Sequence, residues 1–302
     1  MKIHSVAGEV AVEQVQKTMI HEHLVFDLSG VRNDTDSILE NNDALNLEIE
    51  KLKVNGCNTL IEVSNMGMGR DAQSLYDISQ AFNLVIVAST GWYKESFYPD
   101  YVFTTSKEDL AAKMISDLTV GMDGTSIKAG LISEIGSSLN EITPTEYKVF
   151  EAAIQAQKET GAPLSTHTEI GTMGKEQLAI FKNHNVNLKK ISFGHQDLNL
   201  NFEEQCLILD SGAYMQFDTV GKNRYRKDED RADNLVALLN KGYEDQLMLS
   251  CDITRRSHLL SNNGYGYSHL FTVFVPMLKE RGVSDEVIEK MLVLNPRKFL
   301  AY

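Results

Sequence analysis

The run Thr18-Met19-Ile20-His21-Glu22-His23-Leu24 decides how this chain is read. It is an apolar stretch that ends on two histidines one residue apart. In a strand, residues i and i+2 share a face, so both imidazoles converge on one spot while Glu22 points the other way. Two neutral imidazoles aimed together are part of a first-row metal site that needs further ligands from elsewhere. The run also bears on topology. An open doubly wound sheet is expected to carry a Gly-rich dinucleotide turn after its first strand. Here His-Glu-His stands in that place, and Asn65-Met66-Gly67-Met68-Gly69 after the second strand reads as a loop, not as that fingerprint.

Outward from this run, short β-branched segments alternate with longer helical patterns. Eight strand candidates follow: Thr18–Leu24, Thr59–Ser64, Leu84–Thr90, Ala129–Ile135, Pro163–Thr168, Ile191–His195, Ala213–Asp218 and Leu247–Ile253. Helical patterns lie between them at Ser106–Val120, Pro144–Thr160, Gly174–His184, Phe202–Ser211 and Asp230–Asn240. Thr143 is placed to cap the helix that starts at Pro144, and Gly161 to stop it. Strand–helix alternation implies right-handed βαβ units and a parallel sheet. Eight units predict a (β/α)8 TIM barrel, an architecture that fills ~250 residues as one unit. No Pro- or Gly/Ser-rich linker divides the chain, so residues 1–302 are expected to form a single domain.

Composition narrows the function. Hydrophobic residues make up 42 % of the 302 positions, enough for a large core, and the net charge is −13. Nucleic acid and anionic membrane both call for a positive field, so neither is an expected partner. Cys57, Cys206 and Cys251 are far apart and odd in number, which shows no disulfide framework. The start of the chain is too polar for a signal-peptide core, and no stretch approaches the ~18 apolar residues of a membrane span. A cytoplasmic protein acting on a small molecule is the expectation.

Polar ligand-type residues end five of the eight strands, where patterning for a core predicts none. They are His21 and His23, Ser133-Glu134-Ile135-Gly136, Ser165-Thr166-His167-Thr168, Phe193-Gly194-His195 and Ser250-Cys251-Asp252. In a barrel the C-terminal strand ends share one face, where active sites are built. Taken singly, a strand-end Asp reads as a helix cap and a lone His as hydrogen-bonded structure. Together, four histidines and two carboxylates exceed the three protein ligands of a mononuclear catalytic zinc site. They suit two divalent ions ~3.5–4 Å apart that share a bridging carboxylate and hydroxide.

In that order, His21-x-His23, Glu134, His167, His195 and Asp252 resemble the amidohydrolase-type metal barrels, and more narrowly the phosphotriesterase family. The likeness continues through Gln216-Phe217-Asp218-Thr219, Asp252-Ile253-Thr254-Arg255-Arg256 and Asn295-Pro296-Arg297. Across nearly the whole chain it is most similar to the branch of phosphotriesterase homology proteins. The resemblance implies that His21, His23 and Asp252 hold one metal, that His167 and His195 hold the other, and that Glu134 bridges. It implies two divalent ions, zinc in the first place, with manganese, cobalt or nickel as substitutes. Tyr93, in Thr90-Gly91-Trp92-Tyr93, resembles the family tyrosine that approaches the metal-bound hydroxide. Asp252 would accept the proton of that hydroxide and pass it to the leaving group. One departure stands out. The family generally bridges its metals with a carbamylated lysine, whereas this chain has Glu134 there and its nearest lysine, Lys128, toward the other end of the strand. A glutamate supplies the same anionic bridge without carbon dioxide.

The loop after strand seven reads Lys222-Asn223-Arg224-Tyr225-Arg226-Lys227, and the loop after strand eight carries Arg255-Arg256. Barrels often bind phosphate with these two loops. Lys222 and Arg255 are therefore the candidates for an anionic or phosphorylated substrate, against a plain reading as a solvated charge run. Ser261-Asn262-Asn263-Gly264-Tyr265-Gly266-Tyr267 is turn-rich and fits a mobile lid. Trp92 and Phe97 serve either loop packing or the contacts of a homodimer. Cys251 reads as barrel-to-helix packing, and His4, His184, His258 and His269 as structural or exposed. The leading expectation is a metal-dependent hydrolase of a small ester, a lactone (phosphorylated sugar lactones included) ahead of a phosphoester. The alternatives are a TatD-type nuclease, opposed by the acidic balance, and a catalytically silent metal-binding barrel, opposed by the complete ligand set.

Overall fold

All eight expected strands form in the computed structural model, which describes residues 1–302. They are β1 (Lys17–Glu22), β2 (Cys57–Glu62), β3 (Val85–Thr90), β4 (Leu131–Ser137), β5 (Leu164–Thr168), β6 (Ile191–Phe193), β7 (Tyr214–Phe217) and β8 (Leu247–Leu249). They lie in sequence order in one parallel sheet. Seven helices cross between consecutive strands: α1 (Asp43–Val54), α2 (Ala72–Phe82), α3 (Lys107–Thr119), α4 (Pro144–Thr160), α5 (Gly174–Asn183), α6 (Phe202–Asp210) and α7 (Asp228–Asn240). Helical segments at 270–280 and 285–300 finish the outer ring. The result is the single-domain α/β TIM barrel.

Local chemistry sets the element ends. At α4 the Thr143 hydroxyl accepts the Glu146 N–H at 3.1 Å while the Glu146 carboxylate accepts the Thr143 N–H at 2.9 Å, a closed capping box. The helix stops where Gly161 takes φ +76°, a left-handed conformation that costs glycine little. Most of the apolar core lies between the sheet and its helices, and a second cluster fills the lower barrel interior with Ile20, Ile61, Val87, Leu131 and Met248.

An N-terminal hairpin, Lys2–Ser5 with Gly8–Ala11, was not among the expected strands. It is too short to show a period, and it forms because it closes the barrel floor. Ile3 joins the lower cluster, the Val6 N–H donates to the Ile86 carbonyl at 2.9 Å, and Lys2 and Tyr302 pair their backbones. His4 stacks on Tyr302 there. No helix is long and apolar enough to cross a membrane.

Two local irregularities shape the upper rim. Three residue steps on β1 from Met19 to Glu22 face two on β2 from Leu60 to Glu62, and three on β4 from Ile132 to Ile135 face two on β5. Each is a bulge, which bends the strand and re-aims a side chain. The seam between β1 and β8 carries no backbone ladder. Glu22 spans it instead. Its carboxylate accepts from the Ser250 hydroxyl and Cys251 N–H at 2.7 Å each, the Ile253 N–H at 2.9 Å and the Asp252 N–H at 3.2 Å.

Candidate metal centre

The six expected ligands meet at the C-terminal mouth of the barrel, all of them buried. Glu134 sits in the middle. Its Oε2 is 3.3 Å from His21 Nε2, 3.3 Å from His167 Nδ1 and 3.6 Å from His195 Nε2, and its Oε1 is 3.9 Å from His23 Nε2. Asp252 Oδ1 lies 3.3 Å from His23 Nε2 and 3.8 Å from His21 Nε2. Two potential ligand groups follow, His21–His23–Asp252 and Glu134–His167–His195. His21 Nε2, Glu134 Oε2 and His167 Nδ1 are buried with no hydrogen-bond partner. Buried polar atoms without partners are costly, and three of them aimed at one point fit bound cations.

Other side chains orient these rings. His195 Nδ1 is 2.9 Å from Asp218, His21 Nδ1 is 2.9 Å from Gln216 Oε1 and 3.2 Å from Asp218, and His23 Nδ1 is 2.8 Å from the Ser64 hydroxyl. His167 Nε2 is 2.8 Å from Glu169. Each contact occupies one ring nitrogen and leaves the other for a metal, as metal-binding imidazoles require. A third grouping, His21–His195–Asp218, is geometrically close. It uses the Nδ1 sides, so Asp218 is an orienting group there and not a ligand. Sequence reading passed over Asp218 as a site residue. The same i, i+2 logic that paired His21 with His23 pairs Gln216 with Asp218.

Backbone strain marks the two strand ends that carry ligands on tight turns. His195 has φ +57° and Asp252 φ +51°, left-handed values that cost a non-glycine residue of order 1–3 kcal/mol. Each is held by a carboxylate on its own N–H. Asp218 accepts from His195 at 3.0 Å, and Glu22 accepts from Asp252 at 3.2 Å. Gly194 precedes the first turn because any Cβ there would lie 2.4 Å from the Thr166 carbonyl oxygen.

The electrostatics follow from burial and crowding. Burial disfavours a charge on His21, but the carboxylates of Asp218 and Glu134 outweigh it and raise the pKa to about 9. Burial likewise works against ionised Glu134, and the surrounding imidazoles hold its carboxyl well below the usual range. Asp252 is buried too, yet Lys222 and His23 keep it ionised. Burial and then Glu134 push the Tyr93 phenol well above its usual range. Its hydroxyl stands 3.4 Å from His167 Nε2.

Above the ligands opens a cavity of about 660 Å³. Lys222 and Arg255 both line it, and both have carboxylate partners: Lys222 bonds Asp252, and Arg255 reaches Asp34 at 3.2 Å and Asp36 at 3.5 Å. His258, read from the sequence as structural or exposed, is half-buried and lines the cavity; burial and then Lys222 lower its pKa to about 4. The stretch Ser261–Tyr267, expected as a lid, gives Tyr265 to the cavity wall and is anchored at both ends. Glu48 accepts the Leu260 N–H at 2.5 Å and the Tyr267 N–H at 3.2 Å, and the buried Tyr267 donates to the His23 carbonyl. Cys251 packs into the outer core, as expected. Phe97 packs at a tilt against Tyr93 at 5.0 Å and Trp92 donates to the Tyr101 hydroxyl at 2.9 Å, so both serve loop packing.

Comparison with known proteins fits this geometry. The phosphotriesterase homology protein of Escherichia coli strain K12 is 45 % identical over 282 residues, covering 93 % of this chain and 97 % of its own. Its crystal structure, with phosphate in the active site, superposes with a TM-score of 0.93 over 95 % of this chain and 99 % of that one. A lactonase from Listeria monocytogenes is 27 % identical, with a TM-score of 0.95 over 100 % and 99 % of the two chains. The N-acetyltaurine hydrolase of Xenopus tropicalis is 27 % identical over 344 residues, covering 100 % of this chain and 98 % of its own. With residues 1–300 matching the phosphotriesterase family as a whole, and six ligand-type side chains gathered at the mouth of its barrel, the chain belongs to that family.

Proposed function

We propose that this protein is a metal-dependent hydrolase of a small anionic ester, a lactone ahead of a phosphoester. The observation that carries the reading is the pair of ligand groups side by side on the floor of one cavity, with the Glu134 carboxylate of one reaching to 3.3 Å from His21 of the other. His21, His23 and Asp252 would hold one divalent ion, zinc in the first place, and His167 and His195 the other. Two such ions supply a nucleophile at neutral pH and polarise the acyl or phosphoryl oxygen. The chain's own part is proton handling and orientation. Asp252, kept ionised by Lys222, is the proton acceptor and returns the proton to the leaving oxygen. Tyr93 stays a neutral phenol, able to donate a hydrogen bond to developing charge. Phosphate in the active site of the Escherichia coli relative and the lactonase activity named for the Listeria relative support an oxyanion-bearing lactone or ester.

The test is turnover of a panel of lactones, phosphorylated sugar lactones and phosphoesters by metal-loaded protein. At least one substrate is expected to turn over, with Asp252→Asn slower by 10²-fold or more, on the order of a lost general acid–base. No turnover across the panel overturns the substrate reading. Degradation of single-stranded DNA that is lost in His167→Ala would replace it with a nuclease.

A further inference from the structure

Of the lysines and arginines around the cavity, Arg32 and the exposed Arg224 make no ion pair, and only Arg32 has a buried nitrogen left without a hydrogen-bond partner. It ends the short helix Ser29–Arg32 in the loop after β1, and its side chain lines the cavity. Its guanidinium carbon lies 5.6 Å from the Phe26 ring centroid and 5.9 Å from that of Phe97. Those rings lean in turn on the metal centre: Phe26 packs on His23 at 4.6 Å, and Phe97 on Tyr93, which packs on His167. Two aromatic rings thus flank the guanidinium at the rim of the ligand cluster, within cation–π range.

Its neighbours do not neutralise it. The acids of the same loop are taken elsewhere: Asp27 by Ser29, Asp34 and Asp36 by Ser37, Ser257 and Arg255, and Glu40 by Arg256. Lys94, also over the Phe97 ring, is paired with Glu169, and Lys222 with Asp252. Arg32 makes no ion pair, and its Nη1 is buried without a hydrogen-bond partner. Leaving a guanidinium N–H buried and unsatisfied is destabilising. A fold that keeps it beside two rings in the lining of a cavity, with no carboxylate partner, leaves a guanidinium for an oxyanion to pair with.

We propose that Arg32 is an anion subsite, receiving a carboxylate or phosphate carried by the substrate away from the bond that is cut. The inference deepens the hydrolase reading and rests on it for the orientation of the substrate, but its test needs no turnover. Metal-loaded protein is titrated calorimetrically with succinate, glutarate and adipate and with the monomethyl ester of each. One carboxylate of every probe can occupy the metal centre, and only the diacid has a second anion for Arg32. Wild type is expected to bind a diacid of one length about tenfold or more tighter than its monoester, the scale of one charge-assisted hydrogen-bonded pair. Arg32→Gln should bring the two to parity by weakening the diacid alone, and Arg32→Lys should retain part of the preference. The phosphonate matched to glutarate, 4-phosphonobutyrate, distinguishes a tetrahedral from a planar anion, and a preference for either that Arg32→Gln removes supports the subsite. The proposal is overturned by a wild type that prefers no diacid, by a preference that survives Arg32→Gln, or by equal loss of diacid and monoester. A panel silent across lactones and phosphoesters beside an Arg32-dependent diacid preference would sink the substrate reading and leave the subsite.

Discussion

Glu134 presents one oxygen to three imidazole nitrogens within 3.6 Å and the other toward a fourth. No neutral side chain of the same shape can do its electrostatic work. Two dications ~3.5–4 Å apart repel strongly in a partly buried site, so the charge at the bridge matters more than its outline. Glu134→Gln is expected to lower bound metal from two ions per chain toward one or none, read by elemental mass spectrometry after gel filtration. Glu134→Lys should regain part of that occupancy only with bicarbonate, since a carbamate restores the negative bridge, and wild type should be indifferent to bicarbonate. Two tightly held ions in Glu134→Gln would show that another group bridges. The residue identities at this site were legible because each is a polar side chain at a strand end, where a core would require an apolar one. Arg32 and His258 were not legible, because an arginine and a histidine in polar loops look like solvent-facing residues until the cavity is seen.

Among the elements, the strands explain how ligands six to a ring can face one point. Both bulges fall on ligand-bearing strand ends, one between Met19 and Glu22 and one between Ile132 and Ile135. On β1 the bulge lets Ile20 fill the lower interior and His21 still face the metal site. A plain alternation would have sent one of them outward. The spacing His21-x-His23 was readable, but a bulge leaves no mark in a single sequence, since it depends on the partner strand. Glu22 was readable only as pointing away from the histidines. What it points to, the open β1–β8 seam, is a property of the closed ring. Because its carboxylate accepts four donors there, Glu22→Gln places an amide N–H₂ against backbone N–H groups. The expected loss is about 2–4 kcal/mol of unfolding free energy in chemical denaturation, on the scale of buried charged hydrogen bonds left unmade. Since the Asp252 N–H is one of those donors, metal affinity should fall as well. Unchanged stability in Glu22→Gln would mean that the seam is held by packing and by the His21 N–H bond to the Ser250 hydroxyl instead.

At the scale of the whole molecule the barrel separates its two ends. The upper end gathers strained turns and buried charges, while the lower end is an apolar plug of which the N-terminal hairpin is part. The alternation of eight strand patterns with helical ones made the barrel legible, because each unit carries its own period and caps. The hairpin stayed hidden, because four-residue strands acquire their meaning only against a barrel floor assembled from residues as distant as Tyr302. Such a division predicts additivity. Metals that bind only the folded chain raise its stability by mass action, about 4 kcal/mol at a thousandfold excess over the dissociation constant, and chelation removes that increment. Ile3→Ala, at the plug, should cost about 2–4 kcal/mol as a buried aliphatic truncation. Sites more than ~10 Å apart without shared partners usually combine within about 0.5 kcal/mol. Chelation should therefore destabilise Ile3→Ala by the same amount as wild type, and the folded variant should retain its full metal content. If Ile3→Ala instead loses metal, or if chelation costs it markedly less than wild type, the floor and the mouth are energetically coupled through the strands, and the hairpin belongs to the metal centre's support as much as to the fold's.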